Sequence, residues 1–568
     1  MTGPVQRVFV LAGVVAAVGA APVPRAWPQG RQAGARSVSP LVAEAVDLGR
    51  AASTAEHRVV VGLALRDRDA LEAFLADVQD PASPRYAQFI TQEEFDALYG
   101  PTEVAEAAVV SHLERSGLRI TDRAPNRVIV GARGSVAAIE RAFGVAIHDV
   151  SFRGARHYAA LEEPTFPADI ADAVVGVIGL DDLVERQPRV RASGPVPAPH
   201  AALGSNCCHL SPNDLATFYD NTTAYTGTGQ TIVIAGVYAW MDSDNTTFNA
   251  QWGLPALPAG SGQVCTGSGN PSGCRFNSQN SIEIALDVEY AHGSARGARI
   301  LNYMAASTSL ADFTVAYNRI VSDNPGHVVS TSWGVCEAGV STATQHTDDN
   351  IFANGNAKGQ SWFAASGDNG SRDCSNVLTV DNPANSPHVT GVGGTTPTCS
   401  AGMTPSSPAC AGYRSETGWS GSGGGVSQVF ARPAFQTACR VPAGTQRLVP
   451  DVALAANPSP GNYVRKGGFW YIVGGTSVAA PQWAGFVALL NQKLGGSGVG
   501  NPGARLYGLC GTSAFHDVTS GENGDYMAGA GFDMVTGLGT PEVKNFLAPA
   551  STTTTTSSTT STTKPCGG

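Results

Sequence analysis

The cysteines divide this chain into two unlike parts. All eleven lie beyond residue 206, beginning with Cys207 and Cys208, and the residues before them contain none. A chain of 568 residues is too long for a single hydrophobic core, and an apolar fraction of 42% permits several cores. We therefore expect a cysteine-free N-terminal unit followed by a larger unit that contains cysteine.

Disulfide bonds explain these cysteines better than metal binding does. The sequence lacks the paired C-x-x-C knuckles of thiolate zinc sites, and disulfides form after export to an oxidising compartment. Cys265 with Cys274, and Cys399 with Cys410, are close enough in sequence to close small loops, although spacing alone does not fix the connectivity. The odd number leaves at least one cysteine without an internal partner, and we choose Cys566.

The N-terminus has the order of a secretory signal. Arg7 precedes an apolar run from Val8 to Ala21 that ends in small residues. The run is too short to span a bilayer as a folded anchor, so we interpret residues 1–21 as a signal peptide, with a buried helix as the alternative. A net charge of −10 and the lack of a basic patch argue against a nucleic-acid partner. We expect a secreted, extracellular protein.

The first folded unit has the alternating signals of a small α+β domain, which we bound at residues 22–185. Its pattern predicts a strand at Val59–Leu65, helices at Asp69–Val78, Thr102–Arg115 and Ser135–Phe143, and a hairpin within Leu118–Val130.

The rest of the chain divides at two stretches of biased composition. Residues 186–204 are rich in Pro, Ala and Arg without periodicity, which predicts an exposed linker with a processing site. Residues 205–548 alternate β runs (Thr231–Ala235, His327–Ser330, Trp362–Ala365) with helix patterns, as in a parallel α/β sheet. Residues 549–568 form a Thr/Ser-rich tail with no means of building a core.

A candidate nucleophile, Ser477, lies where a strand meets a helix. The segment G-G-T-S-V-A-A-P at 474–481 follows the aromatic β run Phe469–Val473 and opens the apolar helix Val478–Leu494. A hydroxyl there would lie at the positive end of the helix dipole, and the preceding glycines would let a substrate backbone approach closely. The alternative is an ordinary N-cap serine on a core helix.

A pair of carboxylates supplies a candidate base for this serine. Glu283 and Asp287 lie four positions apart and share one face of a helix over Ser281–Ala291 with apolar flanks. Two carboxyls held together in a partly buried place cannot both ionise cheaply, so one keeps a proton and titrates at higher pH. Such a group accepts a serine proton in acid, where a free imidazole is already charged. A solvated acidic helix face is the alternative.

A third carboxylate, Asp368, follows the apolar strand Trp362–Ala365 in the sequence S-G-D-N-G. Loops at the carboxyl ends of parallel strands are where α/β active sites are built. A protonated Asp368 could donate a hydrogen bond to a tetrahedral oxyanion. The alternative is a plain turn aspartate.

Three motifs, E-x-x-x-D, S-G-D-x-G and G-T-S-x-x-x-P, occur in this order and resemble those of the sedolisins, the serine-carboxyl peptidases. The resemblance covers nearly everything from His57 to about Phe546. Further matching segments are S-P-R-Y (83–86), F-I-T (89–91), S-P-N-D-L (211–215), S-T-S-W-G (330–334), S-G-G-G-V-S (422–427) and P-D-V-A (450–453). The resemblance implies a subtilisin-like α/β catalytic domain preceded by an activation propeptide.

The resemblance also implies roles for the three motifs. Ser477 would be the nucleophile, Glu283 the general base and later acid, and Asp287 the partner that orients Glu283 and shares its proton. Asp368 would complete the oxyanion hole with the backbone N–H of Ser477. Candidate contacts to the substrate backbone are Ser332, Trp333, Gly334, Ser422, Gly423 and Gly424.

The last motif of the chain resembles the family's calcium site. Carboxylates and glycine carbonyls suit a hard cation with oxygen ligands. The resemblance assigns one structural Ca²⁺ to the side chains of Asp517 and Asp533 and the carbonyls of Val518, Gly529 and Gly531.

The sequence thus predicts a secreted, acid-active endopeptidase, monomeric, that cuts polypeptides and is held inactive by its own propeptide. We expect acid to protonate carboxylates between the two domains, weaken their docking and trigger self-processing within residues 186–204. One rival is a subtilisin-type hydrolase using His292, whose surroundings, A-H-G-S-A-R-G-A, lack the expected motif. The other is a secreted binding module that keeps the fold without the chemistry.

Overall fold

The N-terminal part of the chain is built from antiparallel strands and short capped helices. The structure, a computed structural model, describes residues 31–32, 35–199, 209–267, 271–374, 377–400 and 410–548. The proposed signal peptide and Thr/Ser-rich tail, with Cys207, Cys208 and Cys566, lie outside the described residues. The N-terminal strands are β1 (Arg31–Gln32), β2 (Val46–Arg50), β3 (Glu56–Leu63), β4 (Arg119–Arg123), β5 (Ile129–Ser135), β6 (Ile147–Phe152), β7 (Ala155–Ala160), β8 (Thr165–Phe166) and β9 (Val174–Ile178). The helices are α1 (Arg68–Gln79), α2 (Gln92–Leu98), α3 (Glu103–Arg115) and α4 (Val136–Phe143).

The predicted elements of this domain are confirmed. Thr102 and Ser135 cap α3 and α4 through their side chains, which fixes where these helices begin. The predicted hairpin is the antiparallel pair β4–β5, within a sheet of order β4-β5-β3-β9. Helix α2 and the β6–β7 hairpin were not predicted. Helix α2 is only seven residues long, and its main signal is a capping box between Thr91 and Glu94.

The chain continues with two short strands and then the C-terminal domain. The strands are β10 (Gln187–Pro188), β11 (Arg191–Ala192), β12 (Thr231–Gly236), β13 (Gly262–Cys265), β14 (Arg299–Met304), β15 (Val328–Thr331), β16 (Trp333–Cys336), β17 (Ser361–Ala365), β18 (Asp381–Asn382), β19 (Thr390–Cys399), β20 (Tyr413–Gly418), β21 (Gly425–Ala431), β22 (Gln446–Val449), β23 (Val452–Ala455), β24 (Asn462–Lys466), β25 (Phe469–Gly474), β26 (Phe515–His516) and β27 (Thr540–Pro541). The helices are α5 (Pro212–Phe218), α6 (Asp242–Trp252), α7 (Ile282–Ser294), α8 (Leu310–Asp323), α9 (Thr342–Ala357), α10 (Thr476–Lys493), α11 (Gly503–Gly508) and α12 (Val543–Phe546).

A mainly parallel sheet organises the C-terminal domain, as predicted. Its eight strands run in the order β13-β14-β12-β15-β17-β19-β20, with β23 also paired to β19, and only β20 is antiparallel to its neighbour. Every residue of β12 and β17 is buried, because helices cover both faces of the sheet. Helices α7 and α10 pack on one face, and α8 and α9 pack on the other. Because β15 and β17 are parallel neighbours, the loops that follow them lie at the same edge of the sheet.

The β-branched run in β3 is buried on both faces, which explains how the two domains dock. Val59 and Val61 belong to the core of the N-terminal domain. Val60, which points to the opposite face, packs into a cluster that includes Phe313 and Ile351 of α8 and α9. One strand thus contributes to two cores.

Charged side chains hold this interface together. Arg68 of α1 pairs with Asp349 of α9 at 2.6 Å, and Glu72 lies 3.3 Å from the Nε2 of His388. Burial opposes ionisation of Glu72, but His388 and Arg68 outweigh it and bring its pKa to about 2. Because this pKa is depressed, ionised Glu72 stabilises the docked domains fully above about pH 4.5. The stabilisation is lost only as the pH falls towards about 2. Mild acid therefore leaves these ion pairs charged. Burial instead raises the pKa of Asp348, the buried partner of Arg186, to about 6, so acid weakening of the docking stays a prediction.

The segment predicted to be an exposed linker is bound to the C-terminal domain over its first half. Arg186 is fully buried, β10 pairs antiparallel with β16, and β11 pairs antiparallel with β25. The side chains of residues 191–195 are exposed. Composition predicted a lack of regular structure, but an extended Pro-containing chain can still add to a strand that has a free edge.

Four disulfides are present among the described residues. Cys265–Cys274 and Cys399–Cys410 confirm the two predicted pairs. The other two, Cys336–Cys374 and Cys439–Cys510, join residues 38 and 71 positions apart, which sequence spacing could not pair. None of the helices in the described ranges combines the length and apolar character needed to cross a membrane.

Candidate active site

Ser477 lies in the first turn of α10, directly after the turn that leaves β25. The turn residue Gly475 has φ +119°, and a Cβ built there would lie 2.2 Å from the carbonyl oxygen of Arg189 and 2.6 Å from Oδ2 of Asp368. Only glycine fits this conformation and these close approaches. Residues 186–196, which pair with the C-terminal domain, are called the bound segment. The glycine lets both this segment and the Asp368 carboxyl approach the start of α10.

The carboxyl pair on α7 is buried beside this serine. Glu283 and Asp287 are 0% and 1% exposed, and every residue of α7 is buried because the helix packs along α10. The hydroxyl of Ser332 donates to Oδ1 of Asp287 at 2.6 Å. Neither oxygen of Glu283 has a hydrogen-bond partner in the described part of the chain. The alternative of a solvated acidic helix face is wrong.

Burial and mutual repulsion raise the proton affinity of this pair. Burial is the largest effect on Glu283 and raises its pKa well above its ordinary value, and the charge of Asp287 adds to it. The nearby hydroxyl of Ser477 acts in the opposite direction. Burial also raises the pKa of Asp287 to about 8, against the hydrogen bond from Ser332. The pair therefore retains at least one proton through the acid range.

Asp368 lies in the loop that follows β17, beside the start of α10. Its Oδ1 accepts from the backbone N–H of Thr476 at 2.8 Å and from the hydroxyl of Thr476 at 3.1 Å. Its Oδ2 has no hydrogen-bond partner among the residues described. Burial raises the pKa of Asp368 to about 7, opposed by the Thr476 N–H. The carboxyl is thus protonated in acid, with one oxygen oriented by Thr476 and the other unpaired.

His292 lies far from this group. It follows Glu283 by nine positions on α7, about 13 Å along the helix axis. Its Nε2 is hydrogen-bonded to the carbonyl of Pro255 at 2.8 Å, and burial lowers its pKa. His292 therefore has a structural role through its bond to Pro255 and lies away from Ser477.

The bound segment passes directly over these side chains. The N–H of Ser477 donates to the carbonyl oxygen of Arg189 at 3.1 Å, and the N–H of Arg189 donates to the carbonyl oxygen of Ser332 at 2.9 Å. The hydroxyl of Ser477 lies 3.5 Å from the same Ser332 oxygen. One peptide carbonyl of the chain itself therefore faces the candidate nucleophile.

The six residues predicted to contact substrate occupy two different positions. Ser332, Trp333 and Gly334 line the bound segment, with Trp333 and Gly334 opposite Pro188 and Gln187. The hydroxyl of Ser422 instead bonds to Gly394 and Val535, while Gly423 and Gly424 pack against the backbones of Ser366 and Met534. The second group supports the loop that carries Asp368, and its contact with substrate stays a prediction.

Sequence reasoning missed several residues of this site. Arg189 places its side chain between Asp381 and Asp373, and Thr476 orients Asp368. The only sequence signal for the first was the repeated arginine in R-Q-P-R-V-R, because nothing local links it to aspartates almost two hundred positions away.

The candidate calcium ligands gather at one loop. Oδ2 of Asp517 accepts from the N–H of Gly531, and Oδ2 of Asp533 accepts from the N–H of Gly529, both at 3.0 Å. Val518 is buried directly after Asp517. In the described residues no group of three or more His, Cys, Asp or Glu side chains could hold a metal, so a cation here would also need backbone carbonyls. The oxygen-only donor set fits a hard cation.

Comparisons with known proteins relate both domains of the chain to known families. Residues 43–183 match the family described as "Pro-kumamolisin, activation domain", and residues 261–502 match the "Subtilase family". The chain is 32% identical over 551 residues to sedolisin of Pseudomonas sp. (strain 101), which covers 91% of this chain and 90% of that protein. It is 33% identical over 531 residues to kumamolisin of Bacillus sp. (strain MN-32), covering 88% and 92%.

A solved structure adds the fold to this likeness. Pseudomonas sedolisin, a serine-carboxyl proteinase complexed with two molecules of pseudo-iodotyrostatin, superposes with a TM-score of 0.54 at 31% identity. The match covers 60% of this chain and 97% of that one. Since the identity extends over nearly the whole of both chains, this protein belongs to the sedolisin family, as a serine-type peptidase with an activation domain before its subtilisin-like catalytic domain.

Proposed function

We propose that this peptidase is a secreted, acid-active serine-carboxyl endopeptidase made as a self-processing precursor. One observation carries the proposal: the N–H of Ser477 donates to the Arg189 carbonyl at 3.1 Å, beside the buried carboxyls of Glu283, Asp287 and Asp368. Secretion is supported by the N-terminal apolar run and by the disulfides of the catalytic domain.

The geometry supports an acyl-transfer mechanism in which Glu283 replaces histidine. Ser477 attacks the peptide carbonyl while its hydroxyl proton passes to Glu283. Glu283 then gives that proton to the leaving amine, and water releases the acyl group by the reverse sequence. Asp287, fixed by Ser332, holds the other proton of the pair and so lets Glu283 be ionised when Ser477 reacts.

The oxyanion would be stabilised by two donors. One is the backbone N–H of Ser477, which already donates to the ground-state carbonyl of Arg189. The other is Oδ2 of protonated Asp368, which lies next to Gly475 and has no other partner in the part of the chain described. Each preorganised donor of this kind contributes roughly 10²- to 10³-fold in rate.

The path of the bound segment supports endopeptidase action. The chain pairs with β16 before Arg189 and with β25 after it, and it continues to Val196, whose N–H donates to the carbonyl of Trp470. A cleft that binds extended chain on both sides of the reacting carbonyl accepts internal bonds of a polypeptide.

Acid dependence follows from the catalytic carboxyls in this proposal. The ion pairs of Glu72 and Asp349 stay charged in mild acid, and the carbonyl to be cut already lies at Ser477. Acid controls the protonation of Asp368, whose pKa of about 7 leaves it ionised, and repelling an oxyanion, at higher pH. The activation domain would inhibit by holding the segment in place.

Self-processing can be tested with a single substitution. At acid pH the purified wild-type precursor should cut itself within residues 186–204, at a rate independent of protein concentration, because the bond is already bound. The Ser477→Ala precursor should remain uncut under the same conditions, and the His292→Ala precursor should be cut. If the pure Ser477→Ala precursor matures normally, self-processing by Ser477 is wrong.

Two rivals remain from the sequence analysis. The subtilisin-type mechanism loses support because His292, nine positions after Glu283 on α7, is hydrogen-bonded to the carbonyl of Pro255. A non-catalytic binding module would have no reason to bury three carboxyls around a serine, since unpaired buried carboxyls are costly. Hydrolysis of a denatured protein at acid pH by the matured chain separates an enzyme from a binder.

We also propose one structural Ca²⁺ at Asp517, Val518, Gly529, Gly531 and Asp533. Burial raises the pKa of Asp533, so a cation there would offset the cost of its charge. The Ca²⁺ ion would bind only the folded state and would stabilise that state by mass action.

Removing the ion should lower the melting temperature of the matured enzyme. At a free Ca²⁺ concentration of 100 Kd the expected loss on chelation is about 5 °C. Thermal unfolding with and without chelator measures it, and Asp517→Asn, which keeps the acceptor for Gly531, is the matched variant. An unchanged melting curve in the wild type would remove this site.

A further inference from the structure

The segment 186–192 contains three arginines that occupy three different environments. Arg186 is fully buried and donates to a buried carboxylate. Arg191 donates to the backbone carbonyl of Asp368 at 2.6 Å. Arg189 alone among them presents its carbonyl to the N–H of Ser477. Of the three peptide bonds that follow an arginine in this segment, only the one after Arg189 therefore lies at Ser477.

The register of the segment is fixed on both sides of that bond. Gln187 lies opposite Gly334 of β16, and Arg191 lies opposite Gly474 of β25, both in antiparallel pairs. A slip by one residue would turn each side chain to the other face. Arg189 is thereby held at the point where the segment passes from one strand to the other.

The side chain of Arg189 enters a pocket with two aspartates. Its Nε donates to Oδ2 of Asp381 at 2.5 Å, and its Nη2 lies 3.7 Å from Oδ2 of Asp373. The exposed fractions are 12% for the arginine side chain, 0% for Asp381 and 2% for Asp373. Burying these carboxylates would be costly without a cation between them.

Two glycines make room for this pocket. A Cβ on Gly334 would lie 2.6 Å from Oδ2 of Asp381 and 2.9 Å from Nε of Arg189. A Cβ on Gly367 would lie 2.6 Å from Oδ2 of Asp373. Side chains at either position would displace the carboxyls or the guanidinium.

A disulfide ties the two walls of the pocket together. Cys336 lies opposite Asp381 in the β16–β18 pair, and its partner Cys374 directly follows Asp373. The loop that carries one aspartate is thus bound covalently to the strand beside the other. The pocket is a part of the catalytic domain that remains when the segment leaves.

We propose that the first bond cut in the precursor is Arg189–Val190, and that Asp381 and Asp373 make the enzyme selective for polypeptides with arginine before the scissile bond. This inference rests on the proposed function of Ser477. Attack by the Ser477 hydroxyl on the Arg189 carbonyl forms an ester and breaks the bond to the Val190 nitrogen, which takes the proton through Glu283. Water then hydrolyses the ester and leaves a carboxylate on Arg189.

The charges of the pocket match one guanidinium. Burial raises the pKa of Asp381, and Asp373 adds to this effect, whereas the charge of Arg189 opposes it. A raised pKa lets Asp381 keep a proton in acid, so the pocket need not carry two full negative charges. Burial disfavours the charge of Arg189, but Asp381 and Asp373 outweigh it and raise the pKa of Arg189, so it stays charged.

Arginine suits this pocket better than lysine or an apolar residue does. Its planar group presents N–H donors in two directions, towards Asp381 and Asp373, which one ammonium at the end of a flexible stem does not match. An apolar side chain would leave buried carboxyls without a cation. We expect a preference for arginine over norleucine on the order of 10²-fold in kcat/KM, with lysine between them.

The first test identifies the earliest cut. The full-length precursor is acidified, and the intact masses of both products are measured at short times, before any trimming. An N-terminal fragment that ends at Arg189 and a C-terminal fragment that begins at Val190 are expected. The Arg189→Leu precursor should be cut at that bond on the order of 10²-fold more slowly.

The second test measures selectivity with matched peptides. The matured enzyme is assayed on two internally quenched peptides that differ only in arginine or norleucine before the cut. In Asp381→Asn and in Asp373→Asn the arginine preference should fall by tenfold or more, mainly through a lower kcat/KM for the arginine peptide. The melting temperature of each variant reports its folding.

The outcomes distinguish the two proposals. A first cut at another bond that still requires Ser477, or wild-type enzyme that cleaves both peptides equally, overturns the arginine pocket and leaves the proposed function intact. Cutting by the Ser477→Ala precursor, or a matured chain that hydrolyses neither peptide nor denatured protein, overturns the proposed function itself.

Discussion

Replacing Glu283 with glutamine is expected to lower the kcat of the matured enzyme by about 10²- to 10⁴-fold, because a general base contributes that much to proton transfer. Glutamine keeps the shape of the side chain but cannot accept the proton of Ser477. Neither Glu283 oxygen has another hydrogen-bond partner among the described residues, so the change breaks no visible structural bond. Initial rates on a peptide substrate at acid pH measure the effect.

Two variants on the same helix serve as controls. Glu289 is also buried in α7, about 9 Å along the helix axis from Glu283, and its carboxyl accepts from the backbone N–H of Arg465. Glu289→Gln should therefore stay within a few-fold of wild type, and His292→Ala should keep most of the activity. An active Glu283→Gln variant, or an equal loss in all three, would contradict the role of Glu283.

Asp368→Ala should lower kcat by about 10²- to 10³-fold, the usual effect of removing one oxyanion donor. Asp368→Asn is the informative partner, because its carboxamide can accept from Thr476 with one atom and donate with the other. The Asp368→Asn variant should recover part of the activity. Because its carboxamide does not ionise, the rate of this variant should not fall near neutral pH.

The comparison of these two variants separates catalysis from structure. If Asp368 only caps the start of α10, asparagine should restore both activity and the wild-type pH profile. If it stabilises the oxyanion as a protonated acid, the pH profile must change. Equal rates for Asp368→Ala and the wild type would remove Asp368 from the mechanism.

Local sequence signals predicted much of the architecture. Caps at Thr102 and Ser135, and the apolar runs of β12, β15 and β17, mark where elements begin and which are buried. The spacing of Glu283 and Asp287 placed both carboxyls on one helix face, since residues four apart meet there. Their burial could not be read from that spacing, because it depends on α10 and the bound segment packing over them.

What the sequence did not reveal depends on residues distant along the chain. The segment 186–192 has a linker's composition, yet two free strand edges bind it, and one of its carbonyls reaches Ser477. The pairing of Arg189 with Asp381 joins residues 192 positions apart. The low pKa of Glu72, about 2, likewise depends on a distant residue, since His388, together with Arg68, holds it there against the effect of burial.

The pH dependence of kcat/KM for the matured enzyme tests the carboxylate mechanism most directly. Burial raises the folded-state pKa of Asp368 to about 7 in the precursor, and departure of the segment exposes it to solvent and lowers that value. The donor form exists below this pKa, so activity should be highest in acid and should fall, with loss of one proton, at or below about pH 7. A profile that rises towards neutral or alkaline pH through the pKa of a histidine, about 6.5, would contradict the account.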